Sequence, residues 1–119
     1  MEMIKILTPF FSYEDERGLL VQLLEHGAGQ INVVKSCAGC VRGGHYHKLN
    51  KELFYIIYGE VKLVLKVNDK VETFCFHSGD MFEIMANVVH DFTYLQGTCL
   101  IAMYDHGVIL PDGTKDIYS

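Results

Sequence analysis

At 119 residues the chain has the length of one compact domain, and a single domain over residues 1–119 is expected. Half of the residues are hydrophobic and 21% are charged, which suits a sizeable core and argues against intrinsic disorder. The formal net charge is −5 and the ten basic residues are scattered, which disfavours binding nucleic acid through its phosphates; no apolar run reaches the ~20 residues that cross a bilayer.

The N-terminal segment lacks the small-residue cleavage site of a secretory leader, so a cytoplasmic location away from membranes is expected. Strands are predicted at 3–7 and, after an Asp15-Glu16-Arg17 turn, over Leu19–Leu24, where a helical stripe competes with two-residue alternation. Further strands are predicted at 31–36, 41–47 and 53–58. The clearest alternation is at 60–67, where Val61, Leu63, Leu65 and Val67 oppose Glu60, Lys62 and Lys66. Asn68-Asp69 reads as a two-residue turn into a strand at 71–77, followed by strands at 81–85, 91–95 and 100–104. Short strands at this density, separated by Gly-containing turns, argue for an all-β sandwich or barrel.

Four cysteines include one CxxC, Cys37 and Cys40, while Cys75 and Cys99 stand alone. The paired spacing of a zinc ribbon is missing, and reduced, partly buried thiols are expected. Six histidines are many for a chain of this size. His45 and His47 flank Tyr46, so an extended strand turns both imidazoles to one face and Tyr46 to the other. With Glu52 and His90 they form a candidate set of three nitrogens and one carboxylate oxygen, suited to a divalent first-row ion such as zinc, iron, manganese or nickel. The competing reading is a structural polar cluster inside a barrel. His26, His77 and His106 read as loop or surface residues.

The run Gly39, His45, Tyr46, His47, Glu52, Gly59 matches every signature position of the first motif of the cupin superfamily. The second motif is looser: Gly79 and His90 match, whereas Met85, Asn87 and Tyr94 stand where Pro, Gly and Asn are usual. Asn tolerates the left-handed backbone that Gly supplies, so the change at 87 is mild. The resemblance implies a small antiparallel jelly-roll barrel with the two motifs lining its interior. Asp15-Glu16-Arg17-Gly18-Leu19 and Val41 to Lys48 also resemble the cupins of nucleotide-sugar biosynthesis: 3,4-ketoisomerases, 3,5-epimerases and the C-terminal cupin of a bifunctional capsule enzyme. The segment Pro111 to Tyr118 is similar to the tail of the last group.

What that resemblance implies is an isomerase or epimerase acting on a nucleotide-linked 4-keto-6-deoxysugar by proton transfer next to the ketone. In the ketoisomerases the His-x-His pair serves as metal-free acid/base machinery and an amide tends to replace the glutamate; the capsule cupin keeps the glutamate and binds zinc. Glu52 therefore favours the metal reading, and an imidazole whose lone pair is on a metal cannot also abstract a proton with that nitrogen. By the same resemblance Arg42 joins His45 and His47 as a candidate catalytic residue, and Arg42 and Arg17 are expected to contact the sugar or its phosphates; Tyr94 and Tyr55 are candidate proton donors, with Lys48 and Tyr55 as further substrate contacts. The alternatives are a metal-binding cupin of another activity, such as a dioxygenase or a ligand-binding module, and a metal-free ketoisomerase. A homodimer is expected, since two-fold dimers are the commonest oligomers.

Overall fold

The computed structural model describes residues 2–119, so Met1, at the head of the expected domain, lies outside the described residues. Eleven strands run in chain order: β1 Ile4–Leu7, β2 Phe11–Asp15, β3 Gly18–Gln22, β4 Gln30–Ser36, β5 Val41–His45, β6 Glu52–Tyr58, β7 Glu60–Val67, β8 Lys70–His77, β9 Met81–Ile84, β10 Val89–Tyr94 and β11 Thr98–Tyr104. No helix long and apolar enough to cross a membrane occurs among the described residues. All pairings are antiparallel. They build a five-stranded sheet in the order β1-β9-β6-β11-β4, a four-stranded sheet in the order β5-β10-β7-β8, and a separate two-stranded hairpin, β2-β3. This is the expected all-β, antiparallel jelly roll.

Alternation explains how the two larger sheets close on each other. Val61, Leu63 and Leu65 of β7 and Phe92 and Tyr94 of β10 turn inward from one sheet, and Phe54 and Ile56 of β6, Phe82 of β9 and Leu100 of β11 from the other; all are buried. The Phe82 ring stacks on Phe76 at 4.0 Å and on Phe54 at 5.1 Å, which joins the layers through aromatic contacts. Each such buried side chain contributes about 1.5–3 kcal/mol of transfer free energy. The opposite face of the five-stranded sheet packs Leu53, Met81 and Met103 against Leu23, Leu24 and Ala28, so the residues after β3 act as a partial cover.

Several expectations are corrected in detail. β2 was not anticipated, although Phe11 and Tyr13 alternate with Ser12 and Glu14; it pairs only with β3, and Phe11, Tyr13, Leu19 and Leu20 all remain exposed. The strand expected at 41–47 ends at His45, after which Tyr46 makes an isolated bridge to Tyr118. Cys37, Cys40 and Cys75 are exposed and only Cys99 is buried, because Cys37 and Cys40 sit in a hydrogen-bonded turn and Cys75 on the exposed side of β8.

Candidate functional site

A backbone irregularity brings the site together. β5 pairs with β10 so that Arg42 faces Phe92, Gly43 faces Asp91 and His45 faces His90, with Gly44 skipped. In an unbroken strand, residues 42 and 45 would point to opposite faces; one extra residue in the bulge turns both Arg42 and His45 inward. The close approach requires glycine: a Cβ at Gly43 would fall 2.4 Å from the His90 carbonyl oxygen, at a φ of +146°. At the other end of the second motif, Asn87 adopts φ 69° and donates its backbone N–H to the His47 carbonyl at 2.6 Å. Asparagine thus supplies the left-handed turn expected of it.

Glu52 opens β6 on the inward face shared with Phe54 and Ile56, and His90, Phe92 and Tyr94 occupy the matching face of β10. His90 Nε2 lies 3.1 Å from His45 Nε2, and Glu52 Oε1 lies 3.2 Å from His47 Nε2 and 3.5 Å from His90 Nε2. The other ring nitrogens point at backbone: His47 Nδ1 is 2.6 Å from the Asp116 carbonyl oxygen, and His90 Nδ1 is 3.3 Å from that of Val88. Donation by both Nδ1–H groups leaves both Nε2 atoms aimed at the centre of the cluster.

The ligand nitrogens of His45, His47 and His90 all fall within 4.8 Å of one another, with Glu52 standing against two of them. Around a tetrahedral ion with bonds of about 2.0–2.1 Å, neighbouring ligand atoms stand roughly 3.3–3.4 Å apart. Three of the six separations, 3.1, 3.2 and 3.5 Å, match that spacing, so the three histidines with Glu52 beside them could hold a divalent ion. The cluster is equally complete as a hydrogen-bonded set, since no buried side-chain nitrogen or oxygen among the described residues lacks a partner.

Electrostatics separates the two most buried imidazoles. Burial pushes His90 down to about 4, with the charge of Glu52 only partly opposing it and those of His45 and His47 adding to it. Burial also presses His47 down, but the hydrogen bond with Glu52, the Asp116 carbonyl and the nearby carboxylate charges outweigh it and leave His47 above its ordinary value. Burial likewise raises Tyr94, so it stays a neutral phenol at neutral pH.

A cavity of about 140 Å³ contains much of this machinery, lined by Arg42, His45, Glu52, His90, Tyr94 and Tyr104 with apolar walls from Val34, Phe54, Phe92, Leu100 and Ala102. Arg42 is held there by hydrogen bonds from Nε to Ser36 Oγ at 2.9 Å and from one terminal nitrogen to the Lys35 carbonyl. Three expected substrate contacts lie elsewhere. Tyr55 is on the outward face of β6, packed with the Leu53, Met81 and Met103 cluster, because it alternates with the inward Glu52 and Phe54. Arg17 stands exposed at the tip of the β2-β3 hairpin, paired with Asp15 at 2.6 Å. Lys48 follows the site in chain order but places its ammonium 4.3 Å from the Tyr118 ring centre.

Two contributors were not anticipated. Tyr104 follows Leu100 and Ala102 on the inward face of β11; its ring lies against His47, and burial first and the nearby Glu52 carboxylate second raise its pKa. Asp116 is buried in the C-terminal segment beneath the His47–Asn50 turn. Continued alternation to the end of β11 would have indicated Tyr104; no local signal marks Asp116.

A family model described as polysaccharide biosynthesis C-terminal domain matches residues 13–112. No curated protein is detectably similar to the chain in sequence. Among solved structures, the chain is similar to a TDP-quinovose 3,4-ketoisomerase from Campylobacter jejuni, at 18% identity and a TM-score of 0.78 over 88% of this chain and 86% of that one. It is also similar to a dTDP-4-dehydrorhamnose 3,5-epimerase from Sulfolobus tokodaii, at 19% identity and a TM-score of 0.74 over 92% and 74% of the two chains. A 3'-monoepimerase from Streptomyces bikiniensis in complex with dTDP-quinovose gives 17% identity and a TM-score of 0.79 over 99% and 69%. At these identities the likeness establishes the shared cupin fold.

Proposed function

The chain belongs to the polysaccharide biosynthesis C-terminal domain family, and from that premise we propose that it is an isomerase or epimerase of a nucleotide-linked 4-keto-6-deoxysugar. The observation that carries the reading is the convergence of His45, His90, Glu52, Tyr94 and Arg42 on one cavity, with His47 bonded to Glu52 at its edge. The names of the similar structures, which include ketoisomerases and epimerases of such sugars, support the same class.

His45, His47 and His90, with Glu52 beside them, are the residues that would hold a divalent ion, zinc foremost, and such an ion would supply Lewis-acid polarisation of the sugar carbonyl, which would lower the cost of removing the adjacent proton. Arg42, fixed by Ser36, offers a planar pair of donors to a phosphate or sugar oxygen. Tyr94, kept as a phenol and lining the cavity, would deliver a proton to the substrate. Apolar walls from Phe54, Phe92 and Leu100 limit water around the carbanion formed next to the ketone.

Hydrogen bonding within the cluster supports a metal-free form of the same chemistry: His47 Nε2 stands 3.2 Å from Glu52 Oε1 and His90 Nε2 3.1 Å from His45 Nε2, so the four side chains can partner one another. In that form the His45 and His47 pair would take the proton next to the ketone and return one to the neighbouring carbon. Incubation with a nucleotide-linked 4-keto-6-deoxysugar should yield a product with the ketone moved to C3 or a neighbouring centre inverted, visible by proton NMR. Purified without chelator, the protein should carry close to one equivalent of a divalent metal. Turnover with less than about a tenth of an equivalent would select the metal-free form, and absence of any product would remove the isomerase assignment.

The same reading takes the whole chain as one cupin unit that works as a homodimer. What supports the dimer is exposed apolar surface: Phe11, Tyr13, Leu19 and Leu20 on the β2-β3 hairpin, and Ile31 and Val33 on edge strand β4. An isolated two-stranded hairpin is marginal in water, so a partner surface would stabilise it.

A further inference from the structure

The segment after β11 is a strap whose role the site chemistry leaves open. It folds on itself through an Ile109–Lys115 bridge and a bond from Asp116 N–H to the Val108 carbonyl, then exchanges two backbone hydrogen bonds with Tyr46 through Tyr118, at 2.9 and 3.0 Å. Between those anchors Asp116 turns its carboxylate inward. Oδ1 accepts the Lys48 N–H at 2.9 Å, and Oδ2 accepts the N–H groups of Leu49 and Asn50 at 3.1 and 3.0 Å and the Asn50 side-chain amide at 2.8 Å. One carboxylate thus satisfies three consecutive backbone donors, an arrangement that fixes the chain following His47.

The carbonyl oxygen of the same residue is the acceptor for His47 Nδ1. We propose that Asp116 is a positioning residue for His47: its carboxylate locks the strap to the turn after His47, and its carbonyl thereby holds the His47 proton on Nδ1 and directs Nε2 at Glu52 and the other imidazoles. The inference rests on the reading of His47 as part of the site, and it adds a residue that acts through another. The link is mechanical as well as electrostatic. Side chain and carbonyl belong to one residue, so releasing the carboxylate frees the carbonyl that orients the ring.

Two readouts test this on the full chain, comparing wild type with Asp116→Ala and Asp116→Asn. The first is the ring-nitrogen NMR signature of His47 in metal-stripped protein, well above its pKa. Wild type should show a single tautomer with the proton on Nδ1, the Ala variant a mixture, and the Asn variant an intermediate state, because its amide oxygen can still accept from the turn. The second is Zn²⁺ affinity by competition with a chromogenic chelator, expected to fall about 10–100-fold for Ala and less for Asn. A wild-type proton on Nε2, or an Ala variant with unchanged tautomer and unchanged Zn²⁺ affinity, overturns the proposal. If the Ala variant fails to fold, the Asn variant and the wild-type tautomer still decide it. A wild type that binds no Zn²⁺ but loses the single tautomer in the variants would sustain the positioning role while removing the metal reading.

Discussion

The cavity and the β2-β3 hairpin both present an arginine, aromatic side chains and carboxylates, yet they hold them differently. On the hairpin, Arg17 pairs with Asp15 only two residues away, and the aromatic rings of Phe11 and Tyr13 remain exposed. In the cavity, His47 is fixed by Asp116 and His45 meets His90, partners 69 and 45 residues apart, while Glu52 and Ser36 reach His47 and Arg42 from five and six residues away. A partner close in sequence forms wherever the chain goes and so constrains little. A partner far along the chain exists only when the fold is complete, and it fixes geometry to the tolerance that chemistry needs. The histidines divide the same way: His26, His77 and His106 each sit beside a carboxylate one to three residues away and remain exposed.

The sharpest test of that contrast is at Glu52, which touches two of the cavity imidazoles. Glu52→Gln keeps the shape and removes the charge; turnover should fall about 10³-fold, within the span expected when acid/base or ligand geometry is lost. Steady-state assay on a keto sugar measures it, and a change under tenfold would detach Glu52 from the chemistry. Next is Asn50, buried beside Asp116, whose side-chain oxygen accepts the N–H groups of His106 and Gly107. Asn50→Ala strands those donors, and urea unfolding should show a loss of about 3 kcal/mol.

Protonation gives a smaller, graded effect. Because His47 is held above its ordinary value, its Nε2 becomes protonated as pH falls through that raised pKa, and metal affinity should decline across that interval while remaining full on the alkaline side. Chelator competition over a pH series reads this; affinity that rises toward acid would contradict it. The smallest effect is expected on the hairpin. Arg17→Ala removes only an exposed local pair, so the urea midpoint should not move measurably, whereas Arg42→Ala should raise KM. A stability loss at Arg17 would show that the hairpin is held by more than its own residues.

The sequence disclosed those parts whose signal is periodic or set by spacing. Period-two alternation, clearest in β7 and β8, together with Gly-containing turns indicated the strands of the two larger sheets, and the spacing of His45, His47, Glu52 and His90 indicated the cluster that the fold assembles. Tyr55, expected at the substrate, lies on the outward face because its odd spacing from Glu52 along β6 turns it to the opposite side. The Gly43-Gly44 bulge, which turns Arg42 inward beside His45, depends on the partner strand, so alternation alone cannot expose it. Asp116 eluded the sequence for a related reason: its carboxylate serves backbone donors 66 to 68 residues earlier.

The most direct test of the cavity as a proton-transfer site is hydrogen exchange. Incubating the protein with a nucleotide-linked 4-keto-6-deoxysugar in heavy water and following the sugar by NMR should show deuterium entering the carbon next to the ketone, with the rate falling in Glu52→Gln. No deuterium incorporation above the protein-free rate, across several such sugars, would contradict the account.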